Sequence, residues 1–284
     1  KQGTYTDKQL YDYLESYYQD CQSPRMATML GDRYASLYND SLSLFYYNQA
    51  IDIDQDYSPA YYGRAHVYQA LRQYERYFAD MSIFMKDPAI SPLLKSEYLN
   101  KLTESSQFVM AFPEETEQMV LDAYTTHPKD EGITTMAGVF FYRLDKTHYA
   151  IELMRQNYEN HSDNPEAAIQ YLMMLYYQKM WDVLIPACDE VIERFGYNFD
   201  IVQLRGFAYS LKEDYDSAIR DFKLIAASAP KDSAIIVFSN SMLGDLYHQK
   251  GDSKNAYRHY KKVLKTNPNY APTLNNYAYY LALE

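Results

Sequence analysis

Residues 237–270 read VFSNSMLGDLYHQKGDSKNAYRHYKKVLKTNPNY and contain the clearest structural signal in the chain. Apolar residues recur at helical spacing on both sides of Lys250-Gly251-Asp252, which indicates two amphipathic helices joined by a turn. Two small residues, Gly244 and Ala256, stand where the helices must cross closely, and large apolar residues flank them. The stretch therefore predicts a helix–turn–helix unit that is closed by Pro268.

This pattern resembles the tetratricopeptide repeat, a helix–turn–helix unit of about 34 residues. One such unit cannot bury its apolar face alone, so the resemblance implies neighbouring repeats on both sides. The same frame recurs along the chain, giving about seven full repeats and a partial unit at each end. The fold class implied by the resemblance is all-α: a right-handed α-solenoid (superhelix) of antiparallel helix pairs.

Extended outward, the frame divides the chain into four stretches. Residues 1–23 are predicted to form an N-terminal capping helix or a partial repeat, and residues 24–91 two repeats. Residues 131–284 are predicted to form further repeats, of which the last is incomplete. Residues 92–130 fit the frame only loosely, with about five surplus residues at 92–96, so we expect an irregular repeat-like joint there.

The composition excludes several classes of protein. The chain has 284 residues, of which 33 are Tyr, and its formal net charge is −11. Its mean hydropathy is −0.51, and no run of about 18 or more apolar residues occurs, so no membrane-spanning helix is expected. Nucleic-acid binders usually present a basic face, so the acidic balance argues against nucleic acid as a partner. The 9 Gly residues give no phosphate-binding loop, and no cofactor is expected.

Residues capable of catalysis or metal binding show no recognisable arrangement. The His residues lack paired ligand spacings such as H-E-x-x-H, so no metal site is expected. The adjacent acids Glu114-Glu115 and Asp189-Glu190 would point in different directions on a helix, and no nucleophile elbow occurs. Several repeats separate Cys21 from Cys188, so no disulfide between them is expected. We therefore expect a protein that is not an enzyme.

The resemblance also implies which side chains face a partner. In tetratricopeptide-repeat proteins the first helix of each repeat lines a concave groove, and its exposed inner positions contact the bound partner. Carried onto this chain, those positions are Tyr62, His66, Lys101, Tyr142, Arg143, Met173, Tyr176, Tyr177, Gln203 and Phe207. Lys101 belongs to this set only if the loose frame holds.

Some family members clamp the C-terminal carboxylate of a peptide with Lys and Asn at inner positions of consecutive repeats. The N-terminal units of this chain offer Thr28, Asp32, Tyr62 and His66 at those positions, so that clamp is missing. The inner positions in the middle of the chain are instead rich in aromatic residues and Met, with one cation, Arg143. Enrichment in aromatic residues, Met and Arg is typical of protein interfaces.

The predicted function is that of a scaffold or adaptor that binds a segment of a partner protein in the concave groove. Two alternatives stay open. The tyrosines could merely pack between helices, since the whole chain is rich in Tyr, or their faces could stack on sugars and bind a glycan or cell-wall fragment. Similar Tyr-rich repeat proteins are frequent among exported bacterial proteins. An exported protein, periplasmic or lipoprotein-anchored, is therefore favoured over a cytoplasmic one.

Overall fold

The computed structural model describes residues 7–283. This part of the chain contains seventeen α-helices and no β-strand. In chain order the helices are α1 (Asp7–Asp20), α2 (Pro24–Ser36), α3 (Asp40–Ile53), α4 (Ser58–Ala70), α5 (Tyr74–Lys86), α6 (Pro92–Thr103), α7 (Ser106–Ala111), α8 (Pro113–Thr126), α9 (Glu131–Arg143), α10 (Thr147–Asn160), α11 (Pro165–Tyr177), α12 (Trp181–Phe195), α13 (Phe199–Leu211), α14 (Tyr215–Ser228), α15 (Ser233–Gln249), α16 (Ser253–Thr266) and α17 (Ala271–Leu283).

The chain divides into two compact units, Lys1–Leu153 and Met154–Glu284, and the boundary falls inside α10. In the first unit α2 packs against α3, α4 against α5, and α6 against α8. In the second unit α11 packs against α12, α13 against α14, and α15 against α16. Seven successive pairs of long helices lie between α1 and α17, so the expected all-α solenoid of helix pairs is confirmed.

Polar caps and prolines set the starts of many helices. Ser23 Oγ accepts a hydrogen bond from the backbone N–H of Met26 at 3.2 Å, and Asn39 Oδ1 accepts one from Leu42 at 3.2 Å. Pro is the first residue of α2, α6, α8 and α11. Its missing N–H costs no helical hydrogen bond there, because the first N–H groups of a helix have no partner within the helix.

A residue with positive φ precedes the second helix in six of the pairs. These residues are Tyr38, Arg72, Asp145, Lys179, Glu213 and Gly251. In the left-handed region a side chain crowds the following carbonyl, and only glycine avoids that cost. Among these six pairs, only the one at residues 237–270 has glycine at the positive-φ position of its turn.

Close crossing of helices in the first and last of these pairs depends on glycine. Tyr47 and Tyr260 are fully buried, and their rings lie against Gly31 and Gly244, where a Cβ would clash with them. Each hydroxyl donates to the Asp that follows the glycine: Tyr47 to Asp32 at 2.7 Å and Tyr260 to Asp245 at 2.6 Å. Leu-Gly-Asp at 30–32 and at 243–245 therefore encodes the same packing twice.

Residues 92–130 contain three helices in place of two. The expectation that residues 92–96 are surplus was wrong, because α6 begins at Pro92. Pro is favoured in the first turn of a helix, so Ser91-Pro92 starts α6. The short helix α7 between α6 and α8 holds the added residues instead.

Candidate functional site

The first unit contains a pocket between α4, α6 and α7, with a volume of about 550 Å³. The lining residues are Tyr62, His66 and Gln69 from α4, Leu94, Glu97, Tyr98, Lys101 and Leu102 from α6, and Ser105 and Phe108 beyond it. Three of the predicted groove residues, Tyr62, His66 and Lys101, thus line a single pocket.

Aromatic rings from two helices make up much of the wall. Tyr62 and His66 lie one turn apart on α4 and therefore share a face, and their rings meet edge to face with centroids 4.5 Å apart. Tyr98 of α6 lies 5.8 Å from the Tyr62 ring and 5.7 Å from the His66 ring. Edge-to-face packing is a favourable arrangement of such rings, so the three side chains support one another.

A buried hydrogen bond fixes Tyr98 in this wall. Its hydroxyl oxygen lies 2.6 Å from that of Tyr77, which is fully buried. Burial raises the pKa of Tyr98, and it raises the pKa of Tyr77 to about 12. Both phenols therefore keep their protons at neutral pH, and one hydroxyl donates to the other. The ring of Tyr98 is held in place without introducing a charge.

The floor of the pocket is uncharged and its rim is polar. Burial lowers the pKa of His66, and a hydrogen bond with Gln69 opposes only part of that shift. The imidazole is therefore neutral at pH 7. Glu97 and Lys101 are exposed and lie one turn apart on α6. An apolar group would meet aromatic rings inside the pocket and both signs of charge at its mouth.

The short helix α7 closes one side of the pocket. Phe108 lines it and packs among other aromatic residues, with ring centroids 5.2 Å from Phe112 and 6.0 Å from Phe78. A regular pair of repeat helices has no counterpart of α7. The irregular joint is therefore what turns a helix–helix groove into a pocket here.

A fully buried lysine anchors α6. Lys95 Nζ donates to the carbonyl oxygens of Met85 and Asp87, at 2.9 and 2.6 Å, and lies 2.9 Å from Nε2 of His127. These partners satisfy the three N–H groups of the ammonium. Burial lowers the pKa of Lys95 to about 8, although the charge of Asp87 raises it. Lys95 thus ties α6 to the end of α5 and to the end of α8.

Tyr142 and Arg143 end α9 in the first unit and do not line this pocket. Tyr142 is half-buried and Arg143 is exposed. Both remain predicted contacts for a partner.

The predicted tyrosines of the second unit lie at the end of α11. Tyr177 is 58% exposed, and Tyr176 packs edge to face against Tyr177 and Trp181, with centroids 6.0 and 5.4 Å away. Met173, one turn before Tyr177, is half-buried. The exposed ring of Tyr177 is available for a contact.

Gln203 and Phe207 lie on α13 and are both half-buried. Phe207 packs against Phe222 of α14, with centroids 5.4 Å apart, and against Phe238 of α15 at 6.5 Å. Phe207 therefore contributes to the packing between helices as well as to the surface on which it was predicted.

Tyr98 and Phe108 are pocket residues that were not among the predicted site residues. With residues 92–96 counted as surplus, the repeat frame places Tyr98 outside the inner positions and has no place for α7. The signal that identifies Tyr98 is Ser91-Pro92, because a helix that starts at Pro92 puts Leu94, Tyr98 and Lys101 on one face.

Residues 7–283 contain no group of three or more His, Cys, Asp or Glu side chains that could hold a metal ion. No helix among them is long and apolar enough to cross a membrane. Cys21 is exposed and Cys188 is buried, both thiols are free, and burial raises the pKa of Cys188 to about 12. That thiol stays protonated at neutral pH and is a poor nucleophile.

Comparison with known proteins identifies one repeat directly. Residues 239–270 match the family model of the tetratricopeptide repeat. No curated protein sequence matches the chain. The matched segment contains Gly244, Gly251 and Ala256, the small residues that carried the resemblance.

Solved structures with a similar arrangement of helices include three of MamA. A crystal structure of MamA protein is 15% identical with a TM-score of 0.49, over 62% of this chain and 94% of MamA. MamA 41-end from Desulfovibrio magneticus RS-1 is 16% identical with a TM-score of 0.47, over 62% and 97% of the two chains. MamA MSR-1 is 18% identical with a TM-score of 0.46, over 62% and 97%. Likeness at this level carries no inference about function.

Proposed function

The chain is a tetratricopeptide-repeat protein, and from that premise we propose that it is a non-catalytic scaffold that holds a segment of a partner protein in the pocket between α4, α6 and α7. One observation supports this most: Tyr62, His66 and Tyr98 line a single pocket of about 550 Å³. Aromatic residues dominate the energetics of protein interfaces when a partner side chain is fully desolvated against them.

The chemistry of the pocket defines what it accepts. A large apolar side chain, aromatic or aliphatic, would bury its surface against the rings of Tyr62 and Tyr98 and against Phe108. The neutral His66 imposes no charge on that side chain. At the rim, Glu97 and Lys101 supply an acceptor and a donor for the main chain of the segment. We therefore propose an extended segment that is anchored by one apolar residue.

The predicted surface residues outside the pocket remain in the proposal as further contacts of the partner. They are Tyr142 and Arg143 at the end of α9, Met173, Tyr176 and Tyr177 on α11, and Gln203 and Phe207 on α13. Arg143 is suited to an acidic group, since a guanidinium pairs with a carboxylate through two parallel hydrogen bonds.

Recognition of a glycan or cell-wall fragment is the second candidate. The side chains of Gln69, Glu97, Lys101 and Ser105 favour it, because all four line the pocket beside tyrosine rings. Sugars need stacking surfaces and many hydrogen bonds together. A soluble oligosaccharide that displaces a captured protein partner would favour this candidate over the first.

The test is recovery of partners from an extract of the source cells by the full chain and by two pocket variants. Tyr62→Ala with Tyr98→Ala removes the anchor surface, and we expect partner affinity to fall by about 2 kcal/mol or more, as for interface hot spots. Glu97→Ala with Lys101→Ala changes only exposed rim residues and should weaken binding without loss of folding.

Tyr38→Ala is the matched control, because Tyr38 lies in the same unit, is 93% exposed and does not line the pocket. Circular dichroism melts would show whether each variant folds. Unchanged recovery of the same partners by both folded pocket variants would contradict the proposal.

A further inference from the structure

Five basic side chains lie on one face of α16. They are Lys254, Arg258, Lys261, Lys262 and Lys265, and all five are exposed. At about 100° per residue they fall within an arc of about 100°, which lies opposite the buried Ala256 and Val263. The 14 residues of α16 include no Asp or Glu, although the chain has a net charge of −11. We call these five residues the α16 basic face.

Ion pairing distinguishes this face from other basic residues of the second unit. Lys250, just before α16, pairs with Asp216, and Lys212 pairs with Asp182. Within residues 7–283, none of the five side chains of the α16 basic face is part of a salt bridge. The nearest carboxylate in sequence, Asp252, accepts the backbone N–H of Asn255 at 3.0 Å and so caps the helix.

Concentrating these charges costs folding stability. Lys254 and Arg258, and likewise Lys261 and Lys265, are four residues apart, and like charges at that spacing repel one another on a helix. Alternating Lys with Glu would remove the repulsion and keep the helix soluble. Among residues 7–283, no salt bridge offsets this repulsion.

The positive potential extends beyond α16. Lys223 of α14 is exposed, and its Nζ lies 5.5 Å from the centre of the Tyr247 ring. Burial, and then the charges of Lys262, Arg258 and Lys223, lower the pKa of His259 to about 4. Two helices of the second unit therefore contribute cations to one region of the surface.

We propose that the α16 basic face binds an anionic lipid surface. Its composition favours lipid over protein, because protein interfaces are depleted in Lys and enriched in aromatic residues and Met. None of the exposed side chains of α16 is aromatic or Met. The apolar face of α16 is buried in the repeat core, so the helix lies against the headgroups without inserting. Each basic residue close to an anionic bilayer strengthens binding about fivefold, and salt screens the attraction.

The experiment is co-sedimentation of the full chain with vesicles of phosphatidylcholine alone or with about one-third phosphatidylserine, at low and high salt. We expect binding to the anionic vesicles at low salt, no binding to the neutral ones, and loss of binding at high salt. Lys254→Glu with Lys261→Glu and Lys265→Glu should weaken binding about 100-fold or more, since each reversal removes one attraction and adds one repulsion.

The control variant is Arg25→Glu with Lys179→Glu and Lys231→Glu, which changes the net charge equally at exposed positions outside α16. It should bind within about threefold of the unmodified chain, and a Gln triple variant of α16 should lose binding while remaining folded. Failure of the unmodified chain to bind anionic vesicles, or equal losses in the α16 and control variants, would overturn the proposal. Tighter binding to soluble polyglutamate or duplex DNA than to vesicles would also overturn it.

Discussion

The pair α4–α5 in the first unit and the pair α13–α14 in the second carry the same arginine in the same place. Arg64 donates to both carboxylate oxygens of Asp80 at 2.8 Å, and Arg205 donates to those of Asp221 at 2.9 and 2.5 Å. Both Asp side chains are only 6% exposed. The bidentate pair thus links the two helices in the same way in both units.

The third contact of each arginine differs. Arg64 Nη1 donates to the neutral Asn48 at 2.6 Å, whereas Arg205 Nη1 donates to the carboxylate of Asp189 at 2.6 Å. Asn48 and Asp189 both belong to the preceding helix pair, on α3 and α12. The link within a pair is therefore constant, while the link between pairs varies between a hydrogen bond and an ion pair.

The helix pair that follows each arginine pair carries a candidate binding surface. In the first unit α7 interrupts that pair and creates the pocket. In the second unit α15–α16 is regular, and its outer surface carries the α16 basic face. The comparison indicates that the repeated contacts maintain the scaffold, and that features not shared by the two pairs, α7 and the α16 basic face, supply the candidate binding surfaces.

The largest expected effect is loss of the buried carboxylate. Asp80→Ala leaves Asn48 as the hydrogen-bond partner of Arg64 and should reduce local stability by about 3 kcal/mol or more, the usual result of breaking a buried pair. Asp221→Ala leaves Arg205 paired with Asp189, so its effect should be about 1 kcal/mol smaller. Hydrogen exchange of the α5 and α14 amides, read by mass spectrometry, measures both.

Asn48→Asp is the control for this difference, because it gives Arg64 the charged partner that Arg205 already has. Combined with Asp80→Ala, it should restore part of the lost stability in the first unit. Equal losses for the two Asp substitutions, with no rescue by Asn48→Asp, would show that the third contact has no energetic role.

The next effect is acid destabilisation of the second unit through His259. This side chain is buried, its Nδ1 lies 2.8 Å from Asn240 Oδ1, and its pKa is about 4 against about 6.5 when unfolded. The unfolded chain therefore binds the proton more readily. The contribution of neutral His259 to the free energy of unfolding is complete above pH 6.5 and is lost as the pH falls toward 4. About 2 kcal/mol of this contribution is lost by pH 5.

Hydrogen exchange of the α15 and α16 amides at pH 7 and pH 5, corrected for intrinsic rates, would measure this loss. His259→Gln cannot take up the proton and should show a smaller pH dependence. Burial also lowers the pKa of His66 in the first unit, so His66→Gln should reduce acid sensitivity in α4. An identical pH dependence in wild type and His259→Gln would contradict this account of α16.

The smallest effect concerns the left-handed turns. Glu213 has a φ of 62° and Gly251 a φ of 85°, and glycine adopts such angles without a steric cost. Glu213→Gly should therefore stabilise the second unit by about 0.5–1 kcal/mol, after allowing for the greater freedom of glycine in the unfolded chain. Glu193→Gly, on the helical surface of α12, should instead destabilise it by a similar amount. Melting temperatures that shift in the same direction would contradict this prediction.

The helix pairs were predictable because helical periodicity, glycines at crossings and prolines at helix starts are local signals. The positive φ angles of the turns were harder to predict. Glycine at position 251 indicates such an angle, whereas Tyr38 and Glu213 are residue types that rarely adopt it. The arginine pairs are visible in the sequence as a repeated spacing, because Arg64 and Asp80 are 16 residues apart and so are Arg205 and Asp221. The sequence alone does not show that those side chains meet.

The candidate site was predicted in part. Tyr62, His66 and Lys101 were identified as partner-binding positions, and the structure places all three around one pocket. Tyr98 and Phe108 were missed because a frame of regular repeats has no place for α7. The buried Lys95 was missed because its carbonyl partners lie at the end of α5, ten and eight residues before it, and only the packing of α6 against that helix end brings them together.

Site-specific photo-crosslinking tests the central claim most directly. A photoreactive phenylalanine in place of Lys101, at the pocket rim, should crosslink to a segment of a partner protein, and mass spectrometry should locate an apolar residue beside the crosslinked position. The same group in place of Tyr38, which is exposed in the same unit, should not capture that segment. Crosslinks to the partner from the position of Tyr38 or Tyr177 but none from that of Lys101 would contradict the assignment of the pocket as the binding site.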